Sequence, residues 1–223
     1  MSGSGFGSGG GPGDEAQRTE TDERSGESDA RSTTGRNAAP NAGPARGTAE
    51  LVMLSAGPER QAELKRQAMT GFVGDAAVVE FTYRTDPATV HRRWCAAVGS
   101  APPCHLVVDA TGNPGTPGPQ VAADGGTFAA ASAHPRDLTG LCMKWQDALN
   151  ETAGDAPLFV AFDSVTALLQ YVDTREAFRF LRTLIGDIHR ANARAQFYFD
   201  PDAHDDRAVS VIRSAFDRVR YVD

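Results

Sequence analysis

Residues 158–164 read Leu158-Phe159-Val160-Ala161-Phe162-Asp163-Ser164, an unbroken apolar run closed by an acid and a hydroxyl. A strand with one face in water alternates apolar and polar side chains, whereas one covered on both faces has no need to. The run is of strand length and too short for a buried helix. It predicts a central strand of a parallel sheet with Asp163-Ser164 at its carboxyl end, the edge where open α/β sheets bind ligands.

The flanking sequence fits that frame. Downstream, a short helical piece at 165–171 precedes a helix over 174–191, with Phe178, Leu181, Leu184, Ile185 and Ile188 as its apolar stripe and Arg175, Arg179, Arg182 and Asp187 off it. Ala195 to Phe199 reads as a strand, Asp205 to Phe216 as a helix and Val219 to Val222 as a last short strand. Upstream, Asp137 is placed to cap a helix running to about Asn150, with Leu138, Leu141, Trp145 and Leu149 inward. Residues 111–126 are dense in Gly and Pro and read as a long loop. Cys104 to Asp109 and Ala76 to Phe81 are further strands, and Asp86-Pro87 starts a helix carrying Val90, Trp94 and Val98 at a spacing of four. Leu51-Val52-Met53-Leu54 is the first strand, and 59–70 the helix after it, with Leu64, Ala68 and Met69 on one face. Strands alternating with helices give an α/β fold with a mostly parallel sheet.

Ahead of this domain, assigned to 50–223, residues 1–48 are rich in Gly, Ser, Thr, Asp, Glu and Arg, with Phe6 the only aromatic. Such a segment has too little apolar surface to offset the entropy of ordering, and a disordered tail is expected. The formal net charge is −7, which argues against a general nucleic-acid partner. Only Lys65 and Lys144 are lysines among 22 basic residues, and Asp outnumbers Glu 19 to 10. This balance points to a salt-adapted, haloarchaeal type of source, where carboxylates keep the surface hydrated. Three cysteines without a CxxC spacing, no apolar run of membrane length and no signal-peptide pattern lead to an expected cytoplasmic location and no membrane association.

Three strand ends carry candidate chemistry. A phosphate loop reads G-x-x-x-x-G-K-[ST]. With Gly57 in the first position, its second Gly is Ala62, its Lys is Glu63 and its hydroxyl residue is Leu64. The Lys normally meets the β- and γ-phosphates and the hydroxyl holds Mg²⁺; here an acid replaces one and an isobutyl group the other. Asp163 stands where P-loop ATPases hold Mg²⁺, although Asp163 and Ser164 also suit a helix cap. Asp200, Asp202 and His204, in an Asp-rich loop, are weak metal candidates without a familiar ligand spacing, and no resident metal is expected. His91 reads as a surface or interface residue, His189 as a helix-end residue and Asp109 as a turn former. A receiver domain needs an acidic pair after its first strand, where Ser55-Ala56 stands instead.

These motifs together resemble the RecA superfamily, in particular its KaiC-like branch, over about 50–223. Leu51 to Gly57 is similar to the strand entering the phosphate loop, Phe159 to Leu169 to the strand ending in Asp-Ser with its small-apolar helix start, and Ala215 to Val219 to the closing segment. Asp137-Leu138-Thr139, Asp163 to Tyr171 and Phe199-Asp200-Pro201 resemble more narrowly a haloarchaeal family of RecA-like proteins without a working phosphate loop and without an established activity. The resemblance implies a RecA-like three-layer sandwich with Gly57, Asp163 and Ser164 as vestiges of a nucleotide site. Active KaiC-like relatives place a carboxylate pair after the second strand, where this chain has Thr82-Tyr83-Arg84-Thr85. The expectation is therefore a non-catalytic regulatory or protein-interaction domain, in signalling or gene regulation, with a protein partner, a homo-oligomer as an option and no cofactor. The alternative is an atypical ATP-binding protein using ATP and Mg²⁺ at a divergent site.

Overall fold

The computed structural model describes residues 45–222 except 55–56, 70–75, 113–119, 122–126, 153 and 155. The predicted tail up to residue 44 lies outside the described residues, and the first strand begins at Thr48.

In chain order the elements are β1 (Thr48–Leu54), α1 (Pro58–Met69), β2 (Ala77–Thr82), α2 (Pro87–Val98), β3 (Cys104–Asp109), β4 (Gln120–Val121), β5 (Thr127–Ser132), α3 (Leu138–Glu151), β6 (Leu158–Asp163), α4 (Val165–Leu168), α5 (Thr174–Arg190), β7 (Arg194–Phe199), α6 (Asp206–Arg213) and β8 (Arg218–Val222). The sheet order is β4-β5-β3-β2-β6-β7-β1-β8. All pairings are parallel except that of β4 with β5. As its apolar run requires, β6 lies between β2 and β7, with Leu158 to Phe162 buried.

Helices cover both faces. Leu64 of α1 and Trp94 of α2 pack with Val52, Val78, Phe159 and Tyr198 on one side. On the other, Leu141 and Trp145 of α3, Leu168 of α4, Leu181, Leu184 and Ile185 of α5, and Ile212 of α6 pack on Met53, Phe81, Phe162 and Phe197. This is a three-layer α/β fold.

The helix starts follow their caps. Asp86 accepts from the Thr89 N–H at 2.9 Å with Pro87 in the first turn, and Asp137 accepts from the Gly140 N–H at 2.8 Å. Asp173 and Glu176 form a reciprocal capping box on α5. Gly99 closes α2 at φ 87°, a backbone region that L side chains disfavour.

Two expectations need correction. The Gly/Pro-dense loop carries the short β4 and is followed by a full strand, β5, which the sequence reading passed over. Thr127-Phe128-Ala129-Ala130-Ala131-Ser132 has little intrinsic strand preference; its conformation comes from pairing along β3 over its whole length. On α5, Asp187 is buried rather than solvent-facing, while Phe180 is buried and Phe178 only half-buried. The cause is α3: the Trp145 indole N–H donates to Asp187 Oδ2 at 2.9 Å, Gln146 donates to the same oxygen, and Arg190 pairs with Oδ1. A buried indole N–H needs an acceptor, and Asp187 supplies it.

Candidate functional site

The carboxyl ends of β1, β7, β6, β2, β3 and β5 lie along one edge of the sheet. At β1, only residues 55–57 separate Leu54 from the start of α1 at Pro58. Gly57 is exposed, and a Cβ built on it meets no described atom within 4 Å. Glu63 and Leu64 sit inside α1. Glu63 pairs with Arg66 and accepts from Gln67 at 2.8 Å, while Leu64 is buried in the core. Hydrogen bonds from Arg66 and Gln67 hold the Glu63 carboxyl below its usual range, so it stays an anion.

Asp163 and Ser164 end β6, two strands away across β7, about 10 Å from β1 at the usual inter-strand spacing. Asp163 is half-buried and the Asp163–Ser164 peptide is cis. Ser164 Oγ accepts from the Ala167 N–H at 3.1 Å, so it caps α4. The strand register continues the row: Asp163 is level with Thr82, Thr82 with Asp109, and Asp109 with Ser132. Thr82 Oγ1 donates to the Thr85 carbonyl and accepts from the Thr85 N–H, which fixes the turn after β2. Asp109 Oδ1 accepts from the Thr111 N–H at 2.8 Å, the expected turn role, and Ser132 Oγ lies 3.4 Å from its other oxygen.

The loop after β7 is organised by local caps. Asp200 accepts from the Asp202 N–H at 3.0 Å, its own N–H donates to Thr166 Oγ1 at 2.8 Å, and Asp205 accepts from the Ala208 N–H at 2.7 Å to cap α6. His204 stacks on Phe199 with ring centres 5.1 Å apart. Burial pushes its pKa down, against Asp200 and Asp205. Among the described residues, no three His, Cys, Asp or Glu side chains are placed to hold a metal ion, Asp200, Asp202 and His204 included.

The sequence reading missed a buried polar layer one step deeper, on the α1–α2 face. Across the sheet, Glu80 is level with Ala161, Ala161 with Gln196, and Gln196 with Glu50, which is level with Arg218. Tyr198 donates its hydroxyl to Gln196 Oε1 at 2.9 Å, Gln196 donates to Glu50 Oε2 at 3.2 Å, and Arg220 donates to the same oxygen at 3.0 Å. Glu50, Glu80 and Gln196 are all essentially inaccessible. Burial pushes the Tyr198 hydroxyl pKa well up, aided by the negative charges of Glu80 and Asp163. The signal was present: Glu50 borders an apolar run and Glu80 interrupts another, positions where a charge needs a partner.

Chemically, this edge offers carboxylates and hydroxyls that are engaged in turns and caps, above an acidic interior balanced by Arg220. Among the described residues no helix is long and apolar enough to cross a membrane.

Solved structures share the fold. A KaiC-like protein of the hyperthermophilic archaeon Pyrococcus horikoshii OT3 superposes with a TM-score of 0.54 at 10% identity, over 80% of this chain and 73% of that one. A second Pyrococcus horikoshii OT3 protein superposes with a TM-score of 0.53 at 12% identity, over 80% of this chain and 83% of that one. The fold is thus that of the KaiC-like RecA proteins. No curated protein matches this chain in sequence. Residues 47–220 match the model of the family described as a family of unknown function, DUF7504, and the chain belongs to that family.

Proposed function

We propose that this chain is a non-catalytic RecA-like regulatory or protein-interaction domain of haloarchaeal type, working in the cytoplasm through a protein partner, whose nucleotide site is vestigial. One observation carries the reading: α1 starts directly after Gly57, so the positions that align with the rest of a phosphate loop lie within a helix. A phosphate loop wraps an anion with successive backbone N–H groups before its helix begins. In α1 beyond its first turn those groups are spent on intrahelical bonds. Glu63 at the Lys position adds a negative charge where a polyphosphate would need a positive one. Asp163 and Ser164 keep their place as the end of a strand and the cap of a helix, a role that needs no nucleotide.

Calorimetric titration of Mg²⁺-ATP into the protein at high KCl tests this. No heat of binding is expected. Micromolar binding that Asp163→Ala weakens would establish the alternative, an ATP-binding protein with a divergent phosphate site, and end this proposal.

A further inference from the structure

On α2, His91 and Cys95 are one turn apart, and His91 faces β3 and β5. Cys95 Sγ lies 3.6 Å from His91 Nε2, and His91 Nδ1 lies 2.9 Å from Nδ1 of His105 on β3. His105 Nε2 is 4.0 Å from Oε2 of Glu80 on β2. Phe128 of β5 stacks on the His91 ring at 4.6 Å, and Trp94 is 5.7 Å from His105. His105 and Glu80 are buried, while His91 and Cys95 are partly accessible. Four groups able to carry a proton thus run in line from the core to the surface.

The contacts give that line a direction. A close Nδ1–Nδ1 pair needs one donor and one acceptor. The Glu80 carboxyl lies 4.0 Å from His105 Nε2, beyond hydrogen-bond reach; of the two arrangements, the one with His105 protonated on the Glu80 side makes His105 Nδ1 the acceptor and His91 Nδ1 the donor. His91 Nε2 is then a lone pair aimed at the Cys95 thiol. A base in that position raises the thiolate fraction, and a second group that orients the base is the arrangement found in activated nucleophiles.

We propose that Cys95 is a reactive thiol, activated by His91, which is itself positioned by His105, and that a hydroperoxide oxidises it. The thiol proton passes to His91 Nε2 as Sγ attacks the nearer peroxide oxygen. The S–O bond forms, the O–O bond breaks, and His91 returns the proton to the departing hydroxide or alkoxide. Sulfur is oxidised to a sulfenic acid and the peroxide is reduced to water or an alcohol. Cys104 and Cys142 are internal controls in the same chain. Both are partly buried, and burial pushes both thiols up, which disfavours their thiolates.

The test is peroxide treatment of the full chain with dimedone trapping, read at each cysteine by mass spectrometry over time. Cys95 is expected to be trapped about tenfold or more faster than Cys104 and Cys142, the gain available when a base lifts a thiolate fraction of a few per cent. His91→Gln is expected to remove that advantage and leave the rates at Cys104 and Cys142 unchanged. His91→Asn is the second variant if the first loses its fold, which faster labelling of Cys104 and Cys142 would reveal. Equal rates at all three cysteines in the wild type, or a folded His91 variant that keeps the fast rate at Cys95, would overturn the proposal.

Discussion

Replacing Glu63 by Lys and Leu64 by Ser restores the two side chains that a phosphate loop uses, yet no ATP affinity is expected to return. Glu63 is the sixth residue of α1, about 7.5 Å along the axis from Pro58 at 1.5 Å per residue. That places a lysine there more than one helical pitch behind the helix start, where the neighbouring N–H groups are spent on intrahelical bonds and form no backbone cradle beside it. The two changes separate cleanly in stability. Glu63 lies on the surface and pairs with Arg66, so Glu63→Lys leaves the melting temperature nearly unchanged. Leu64 is 2% exposed among Val52, Val78 and Tyr198. Losing its isobutyl group and burying a hydroxyl costs about 3–5 kcal/mol, which in a domain of this size lowers the melting temperature by roughly 10 °C. Thermal melts and calorimetry with Mg²⁺-ATP on both single variants and the double variant measure each part. Micromolar binding by Glu63→Lys alone would refute the geometric argument. A Leu64→Ser protein that melts with the wild type would show that residue 64 does not pack beneath α1.

Three further outcomes follow from the same geometry. Glu50→Ala strips the acceptor from Gln196 and Arg220 inside the sheet layer and is expected to cost about 3 kcal/mol in denaturant unfolding; a loss near zero would mean that this network is not sequestered. Burial pushes the Asp217 carboxyl up, but the Ala49 N–H and His189 outweigh it and hold it below its usual range. Its contribution is therefore present above about pH 4 and lost as pH falls through the folded value, so Asp217→Asn should flatten that part of the acid-unfolding curve. Tyr83 is buried with no hydrogen-bond partner for its hydroxyl among the described residues, and Tyr83→Phe is expected to raise stability by about 1 kcal/mol in the same denaturant assay.

The sequence shows some parts of this molecule plainly and others not at all. The run at Leu158 to Phe162 marks the central strand because burial on both faces leaves no room for alternation. Asp86, Asp137 and Ser164 are legible as caps because capping is local chemistry. β5 is not, since its strand state comes from a partner strand more than twenty residues back. Asp187 misleads because what buries it is Trp145, forty-two residues away. At the candidate site, the substitutions at Ala62, Glu63 and Leu64 can be read directly, and so can the early start of α1, expected at residue 59 and found at Pro58. The proton line from Glu80 to Cys95 joins three elements, and only the His91–Cys95 spacing leaves a trace in one dimension.

The place of β1 has a consequence for how the chain is made. Among the described strands β1 is the first synthesised, yet its two neighbours in the sheet are β7 and β8, the last two of them. Its hydrogen bonds wait for residues that leave the ribosome about 150 positions later, or on the order of ten seconds at common elongation rates. Until then Leu51 to Leu54 is an apolar strand with both edges open, the kind of segment that pairs with wrong partners. Pairing over such sequence separations also slows folding. Nascent chains halted before β7 should therefore show a protease-sensitive β1 beside an assembled β2–β3 pair, and the finished sheet closes only when the last strand arrives.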